Sequence, residues 1–328
     1  MSDKLSISTS PFLHSPSTTS KIMWEVVFTL IPVLGIAFYY FGLSAILVTL
    51  AATLGCLLTE WLFDPRHERA LKDGSAVLTG ILLAFCLPPG FPLWMAFLGG
   101  VVSIGIGKVI WGGLGQNIFN PALVGRAFLQ SAFPAAITTW ENPDGRFFSV
   151  RGTNLALPFW KGEAVDAVAT ATPLAKMKFD HAATPIWDMV IGHTGGSLGE
   201  TSALLLFLAG VYLIFRKIVN WRIPVSILLA VVLPAALFYW IDPSKYPSPQ
   251  FMLLSGGLLL GAVYMATDMA TSPMTSKGLW IYGIGIGILV VLIRLWGGLP
   301  EGVMYAILLM NAATPLIDRA TQNRVYGH

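Results

Sequence analysis

The 328-residue chain is 55% hydrophobic and only 11% charged, with a mean hydropathy of +0.70, far from the globular balance in which about a quarter of residues are charged. A spanning helix uses roughly 20 apolar residues, so this composition reads as an integral membrane protein and excludes a large soluble catalytic domain. Twenty basic and 17 acidic residues leave a net charge of +3 without a run of five like charges, which excludes a nucleic-acid footprint. The two cysteines, Cys56 and Cys86, sit in apolar runs without CxxC or Cys/His spacing. No disulfide framework, zinc site or iron–sulfur cluster is expected from this chain alone.

Residues 1–22 are polar and rich in Ser and Thr and read as a cytoplasmic tail rather than a cleaved signal. Apolar segments follow at 23–41, 43–63, 75–88, 91–111 and 117–133, then at 199–215, 222–241, 250–268, 278–296 and 302–317. Ten spans are therefore expected, as two five-helix units (23–133 and 199–317) around a loop subdomain at 134–198, with a short tail at 318–328. Arg66, Arg69 and Lys72 follow the second span and Arg216, Lys217 and Arg222 follow the sixth, while FGLS and LPPGFP carry no cation. Both termini are placed in the cytoplasm on that asymmetry, and the 134–198 loop outside it.

An internal repeat runs through the two units. WGGL occurs at 111–114 and again at 296–299, each copy preceded by a proline 23 positions earlier, Pro88 and Pro273. An Asn- and Pro-containing stretch follows each, from Asn120 and from Asn311. With five spans per unit the second copy must enter from the opposite side, and short Gly/Pro-interrupted segments at matching places predict broken helices meeting near the midplane.

Three stretches hold residues able to carry chemistry. In DAVATATPLAKMK, from Asp166, Pro173 biases Thr172 toward an extended backbone and away from a helix, leaving its hydroxyl accessible; by itself an exposed threonine is usually only solvated. GGSLGETSALL, from Gly195, sets glycines before a helix whose first turn carries Glu200, Thr201 and Ser202, either an ordinary capped entrance or a place for an anionic group. In WGGLGQNIFNPA, Gly112, Gly113 and Gly115 allow close backbone approach, and Asn117 and Asn120 place amides near a membrane boundary. Among the few charges bordering spans, Asp268 sits in the second broken element, an ion-path candidate or a helix-capping carboxylate. Lys108 and Arg294 fall at near-equivalent repeat positions and either snorkel or neutralise buried acids.

TGILLAFCLPP from Thr79, GQNIFNPALVGRAFL from Gly115, DAVATATPL and GGSLGETSALLL, together with the ten-span repeat, resemble the family that unites the D subunits of Rnf ion-translocating electron-transfer complexes with the B subunits of sodium-pumping NADH:quinone oxidoreductases. The resemblance covers nearly the whole chain, and Pro173 and Leu174 resemble the Rnf branch. It implies an all-α membrane protein that passes electrons between ferredoxin and NAD, through other subunits, while Na+ or H+ moves: a translocase subunit rather than a complete enzyme. It implies FMN joined by a phosphoester to Thr172, with Asp166 as the motif acid and Ala171 as the small residue. Ala169 stands where the family commonly has a hydroxyl and Thr170 where it has glycine, which makes Thr170 a second possible acceptor. The GGSLGE region, with Gly196, Glu200, Thr201 and Ser202, is implied to lie near flavin, and a noncovalent riboflavin is expected near Asn117 and Asn120. The implied partners are Rnf subunits A, B, C, E and G and a flavin transferase, in a bacterial inner membrane with the flavin loop on the periplasmic side. The alternatives are the quinone-reducing relative and a non-redox transporter or channel.

Overall fold

The computed structural model describes residues 18–63, 72–143, 145, 147–148, 150–158, 171–180, 182, 184–243 and 245–322. Asp166, Ala169, Thr170, Arg66 and Arg69 lie outside them. The described residues are mainly helical, without a β-strand. The first half holds α1 (Thr19–Phe41), α2 (Leu43–Phe63), α3 (Ser75–Phe85), α4 (Leu93–Gly107), continued by a 3-10 turn Val109–Trp111, and α5 (Pro121–Ala132). The connecting region contributes α6 (Pro134–Ile137), α7 (Pro173–Phe179), α8 (Ile186–Ile191) and a 3-10 turn Leu198–Glu200. The second half holds α9 (Ala203–Phe215), α10 (Arg222–Ile241), α11 (Pro249–Leu254), α12 (Leu258–Leu260) running into a π-helical segment Gly261–Met265, α13 (Ser276–Trp296) and α14 (Val303–Ala320).

Helix starts follow directly from local sequence. Asn120, Thr172 and Ser248 each precede a proline and each accepts a backbone N–H of the first turn with its side-chain oxygen, because proline is pre-shaped for the first helical position and the N-cap oxygen satisfies an orphan donor. Thr275 caps α13 in the same way, accepting from Gly278 N at 3.0 Å.

Among the described residues, five segments are long and apolar enough to cross a membrane: α1, α2, Leu93–Trp111, α10 and α13. The other expected spans, which the sequence reading took to include short or broken helices, fall below that length or apolarity. The helices α3, α5 and α9 have 11, 12 and 13 residues, reaching about 16–20 Å at 1.5 Å per residue against a hydrocarbon core of about 30 Å. The 250–268 segment is interrupted at Ser255–Gly257, and α14 carries Asn311, Thr314 and Asp318 in its length.

In each half the WGGL-bearing helix packs against the second helix, α4 on α2 and α13 on α10, through small residues that let backbones close. A Cβ on Gly100 would fall 2.3 Å from Ala52 O, and one on Gly287 would fall 2.5 Å from the Ala230 methyl; such small-residue contacts are how helices associate where lipid offers no hydrophobic drive. Outward, large apolar side chains such as Phe28, Leu54, Leu233 and Ile288 stay exposed, as lipid-facing surfaces require. One core runs through both halves, from Leu30 in α1 to Ile286 in α13.

Candidate functional site

At the end of the bundle that carries the connecting region, Thr172 is the N-cap of α7, with an extended backbone (φ −62°, ψ 156°) as its proline neighbour predicts. Its hydroxyl oxygen accepts from Ala175 N at 3.2 Å. The extended backbone agrees with the sequence expectation and the accessible hydroxyl does not: Thr172 is buried, 7% exposed, at the start of a helix that its Thr-Pro pair initiates. Ala171 and Pro173, on either side of it, line a groove of about 630 Å³ that also meets Lys176, Asp188, His193 and Gly195.

The other side of α7 is anchored. Leu174 packs with Met189 and Phe251, and the Lys178 ammonium donates to Gly297 O at 2.5 Å and Leu299 O at 2.9 Å, tying α7 to the second WGGL. Burial lowers the Lys178 pKa from its ordinary value. The next polar residue after that WGGL, Glu301, accepts from Gly257 N and pairs with Arg126 of α5 at 3.4 Å. Arg294 donates to Met252 O and Ser255 O at 2.6 and 2.9 Å, holding the carbonyls freed where α11 breaks. It does not snorkel, being buried, and its charge also interacts with those of Glu301 and Glu200.

The GGSLGE segment crosses the same end. Leu198 N donates to Leu87 O at 3.1 Å, the Ser197 hydroxyl donates to Glu200 at 2.8 Å, and Gly196 is buried with Glu200 Oε2 beside it. The Thr201 hydroxyl donates to Leu198 O at 3.0 Å, and Ser202 caps α9 by accepting from Leu205 N at 3.3 Å. These residues build the entrance of α9, the capping role that the sequence also offered. Gly192, just before, ends α8 with φ +97°, and an added Cβ would fall 1.0 Å from Thr201 O. Gly192→Ala should therefore displace the His193 segment from α9 and lower stability by more than about 2 kcal/mol; thermal unfolding in detergent checks this, and an unchanged midpoint would contradict the packing.

The opposite end of the bundle holds the second group. Asn120 caps α5 and its amide donates to Met265 O at 3.0 Å, while the Asn117 amide donates to Asp268 at 3.2 Å. Two first-half asparagines thus grip both ends of the turn that follows the π segment. Asp268 also accepts weakly from Ala270 N and the Thr271 hydroxyl, each at 3.4 Å, so it caps that turn and at the same time faces a cavity of about 80 Å³ bounded by Lys108, Asn117, Asn120, Tyr264 and Thr267. π segments leave carbonyls out of register and recur at functional places. Lys108 is buried and pairs with Glu60, and it donates to Ser75 Oγ at 2.5 Å; it does neutralise a buried acid.

The three glycines of the first WGGLG element have φ of +108°, +100° and +88°, and nothing lies within 4 Å of a Cβ on Gly113 or Gly115. Within the chain no backbone approaches them closely. They make a left-handed turn. In the second copy Gly297 has φ −70°, so the same tetrapeptide takes two backbones, and Lys178 is there the partner of its carbonyls.

Residues 6–327 match the model of the NQR2, RnfD, RnfE family. The chain belongs to this family. It is 42% identical over 333 residues to the D subunit of the proton-translocating ferredoxin:NAD(+) oxidoreductase complex of Clostridium ljungdahlii, covering 98% of this chain and 96% of that one. It is 41% identical to the D subunit of the Na(+)-translocating ferredoxin:NAD(+) oxidoreductase complex of Acetobacterium woodii, with 98% and 95% covered. With the D subunit of the ion-translocating oxidoreductase complex of Stutzerimonas stutzeri it shares 43% identity, with 95% and 93% covered. Relatives of nearly equal identity thus bear names with different ions, so overall similarity does not choose between Na+ and H+. Lys176 as a groove residue, and Lys178 as the clamp on the second WGGL, escaped the sequence reading, whereas His193 was open to it as a cofactor neighbour or an ordinary surface histidine; the spacing of Lys176 four residues after the capping threonine was the available signal.

Proposed function

We propose that the chain is the D-type membrane subunit of an Rnf-like complex, which couples electron transfer between ferredoxin and NAD to movement of Na+ or H+. The observation that carries this is similarity over nearly the full length to relatives so named. In this reading the chain works with the A, B, C, E and G subunits in a bacterial inner membrane, both termini cytoplasmic and residues 134–198 periplasmic. The third class weighed, a non-redox pore, has no use for the Thr172 element.

FMN is attached through its phosphate to Thr172 by a flavin transferase, and when bound it supplies the uptake and release of electrons. Thr172 is buried in the folded chain, so attachment has to precede or displace the packing over its hydroxyl; the residues around it fit the group. An ester oxygen on Thr172 remains an acceptor for Ala175 N, and the groove beside Ala171 and Pro173 falls in the 300–1,000 Å³ range of small-molecule sites. A noncovalent riboflavin belongs to the same reading, near Asn117 and Asn120, where the cavity of about 80 Å³ has to open to admit it. The two halves act as inverted repeats whose interrupted elements, α3 and α11–α12, bound an ion path between them, with the Asp268 carboxylate facing its cavity.

Two outcomes test the account. Membranes lacking this chain should lose ferredoxin-dependent NAD+ reduction and the accompanying ion uptake, and regain both with the wild-type chain; activity persisting without it would overturn the assignment. Asp268→Asn should lower ion uptake per electron by about tenfold, equivalent to about 1.4 kcal/mol, with electron flux largely kept. Normal uptake at full flux removes Asp268 from the path.

A further inference from the structure

Beyond the attachment point, the geometry points to the groove between α7 and the His193–Gly195 segment as the bed of the flavin nucleotide, with Lys176 serving its phosphate and His193 lying against its ring system. This rests on the proposal that Thr172 carries FMN. Thr172 is buried and does not itself line this groove, but its chain neighbours Ala171 and Pro173 both do, together with one acid, Asp188. Its contents suit a phosphorylated, planar heteroaromatic ligand. Lys176 is exposed, stands one helical turn after Thr172, and lines the same groove; residues four apart share a helix face, so its ammonium can meet a phosphate ester on Thr172.

At the far side His193 is exposed, and its ring packs at 5.9 Å and 57° against Tyr40 of α1. That supported imidazole is a flat surface for a planar ring. Asn142 and Thr194 add hydrogen-bonding groups along the wall. The opposite side of α7 offers a rival. A cavity of about 210 Å³ there is bounded by Leu174, Lys178, Tyr246, Arg294 and Trp296. Of its three cations, Lys178 is committed to the carbonyls of the second WGGL and Arg294 to Met252 and Ser255, while the third, Lys245, lies 5.5 Å from the Tyr246 ring; what sets this cavity aside is that neither chain neighbour of Thr172 is among its residues. The groove is also where Gly192 matters, since its left-handed backbone sets the direction in which His193 leaves α8.

The test uses the full-length chain in detergent, produced in a host that contains the flavin transferase, with the emission of a Thr172→Ala sample subtracted to isolate covalent flavin. Three quantities are read on each variant: flavin fluorescence after denaturation, fluorescence when folded, and reduction midpoint. In His193→Trp the denatured emission should match wild type while the folded emission falls by at least about twofold, because an indole stacked on the ring donates an electron to the excited flavin; His193→Phe, which has no such donor, should keep the wild-type folded emission. Lys176→Met should lower the midpoint, since removing a cation disfavours the added electrons, whereas Lys176→Arg should keep it. Tyr246→Leu, in the rival cavity, should change neither reading. Wild-type folded emission in His193→Trp together with a wild-type midpoint in Lys176→Met would overturn the placement, as would a change confined to Tyr246→Leu. A wild-type chain dark after denaturation would overturn the attachment itself, and the two failures are thereby distinct.

Discussion

Thr172→Ala should abolish covalent flavin on this chain entirely, while Thr170→Ala should leave it in place. Alanine has no oxygen to carry a phosphoester, so the effect on attachment is all-or-none. The same substitution removes the N-cap of α7, where the Thr172 oxygen accepts from Ala175 N at 3.2 Å; caps of this kind are worth about 1 kcal/mol, too little to unfold a helix that Leu174 and Lys178 also anchor. Thr172→Ser separates the two effects, since serine keeps both an ester oxygen and a capping acceptor. It should retain fluorescence on a denaturing gel under ultraviolet light, and ferredoxin-dependent ion uptake with it. Fluorescence surviving in Thr172→Ala would place the flavin elsewhere.

The second large effect is on stability. Lys108 and Glu60 are 3% and 1% exposed and pair directly, and Lys108 also donates to Ser75 Oγ, whose hydroxyl donates in turn to the Asp73 carboxylate at 2.6 Å. Deleting one partner of a buried pair leaves the other charge stranded, at a cost of about 3–5 kcal/mol, whereas replacing both with apolar groups costs far less. Lys108→Met should therefore destabilise strongly, and Lys108→Met combined with Glu60→Met should recover most of the loss. Thermal unfolding of the detergent-solubilised chain reads both, with non-additivity as the signature of direct coupling. A double variant no more stable than Lys108→Met would show that the lysine acts through other contacts.

These two sites differ in how far the sequence announced them. Thr172 sits in a motif, and its role as a helix start is written in the Thr-Pro pair, as with Asn120 and Ser248; local rules suffice because a cap involves three or four neighbouring residues. Its burial was not legible, since the residues that cover α7, Met189 and Phe251, arrive from elsewhere in the chain. Glu60 and Lys108 are 48 residues apart, and a pattern that places both near membrane boundaries does not say that they meet. The apolar segments were legible as membrane-directed helices, but composition alone cannot separate a full span from the shorter α3 or the interrupted α11–α12. There the deciding features are backbone details, such as the break at Ser255–Gly257 held by Arg294. The WGGL copies make the same point from the other side: identical tetrapeptides fold differently because only one has Lys178 against its carbonyls.

The most direct measurement is the mass and fragmentation of the tryptic fragment 162–176, which contains both Thr170 and Thr172, from chain produced with an active flavin transferase. The account predicts a fragment heavier by one FMN less water, with the added mass assigned to Thr172. A fragment found only unmodified while the transferase loads another substrate in the same cells would contradict it, and so would the added mass on Thr170.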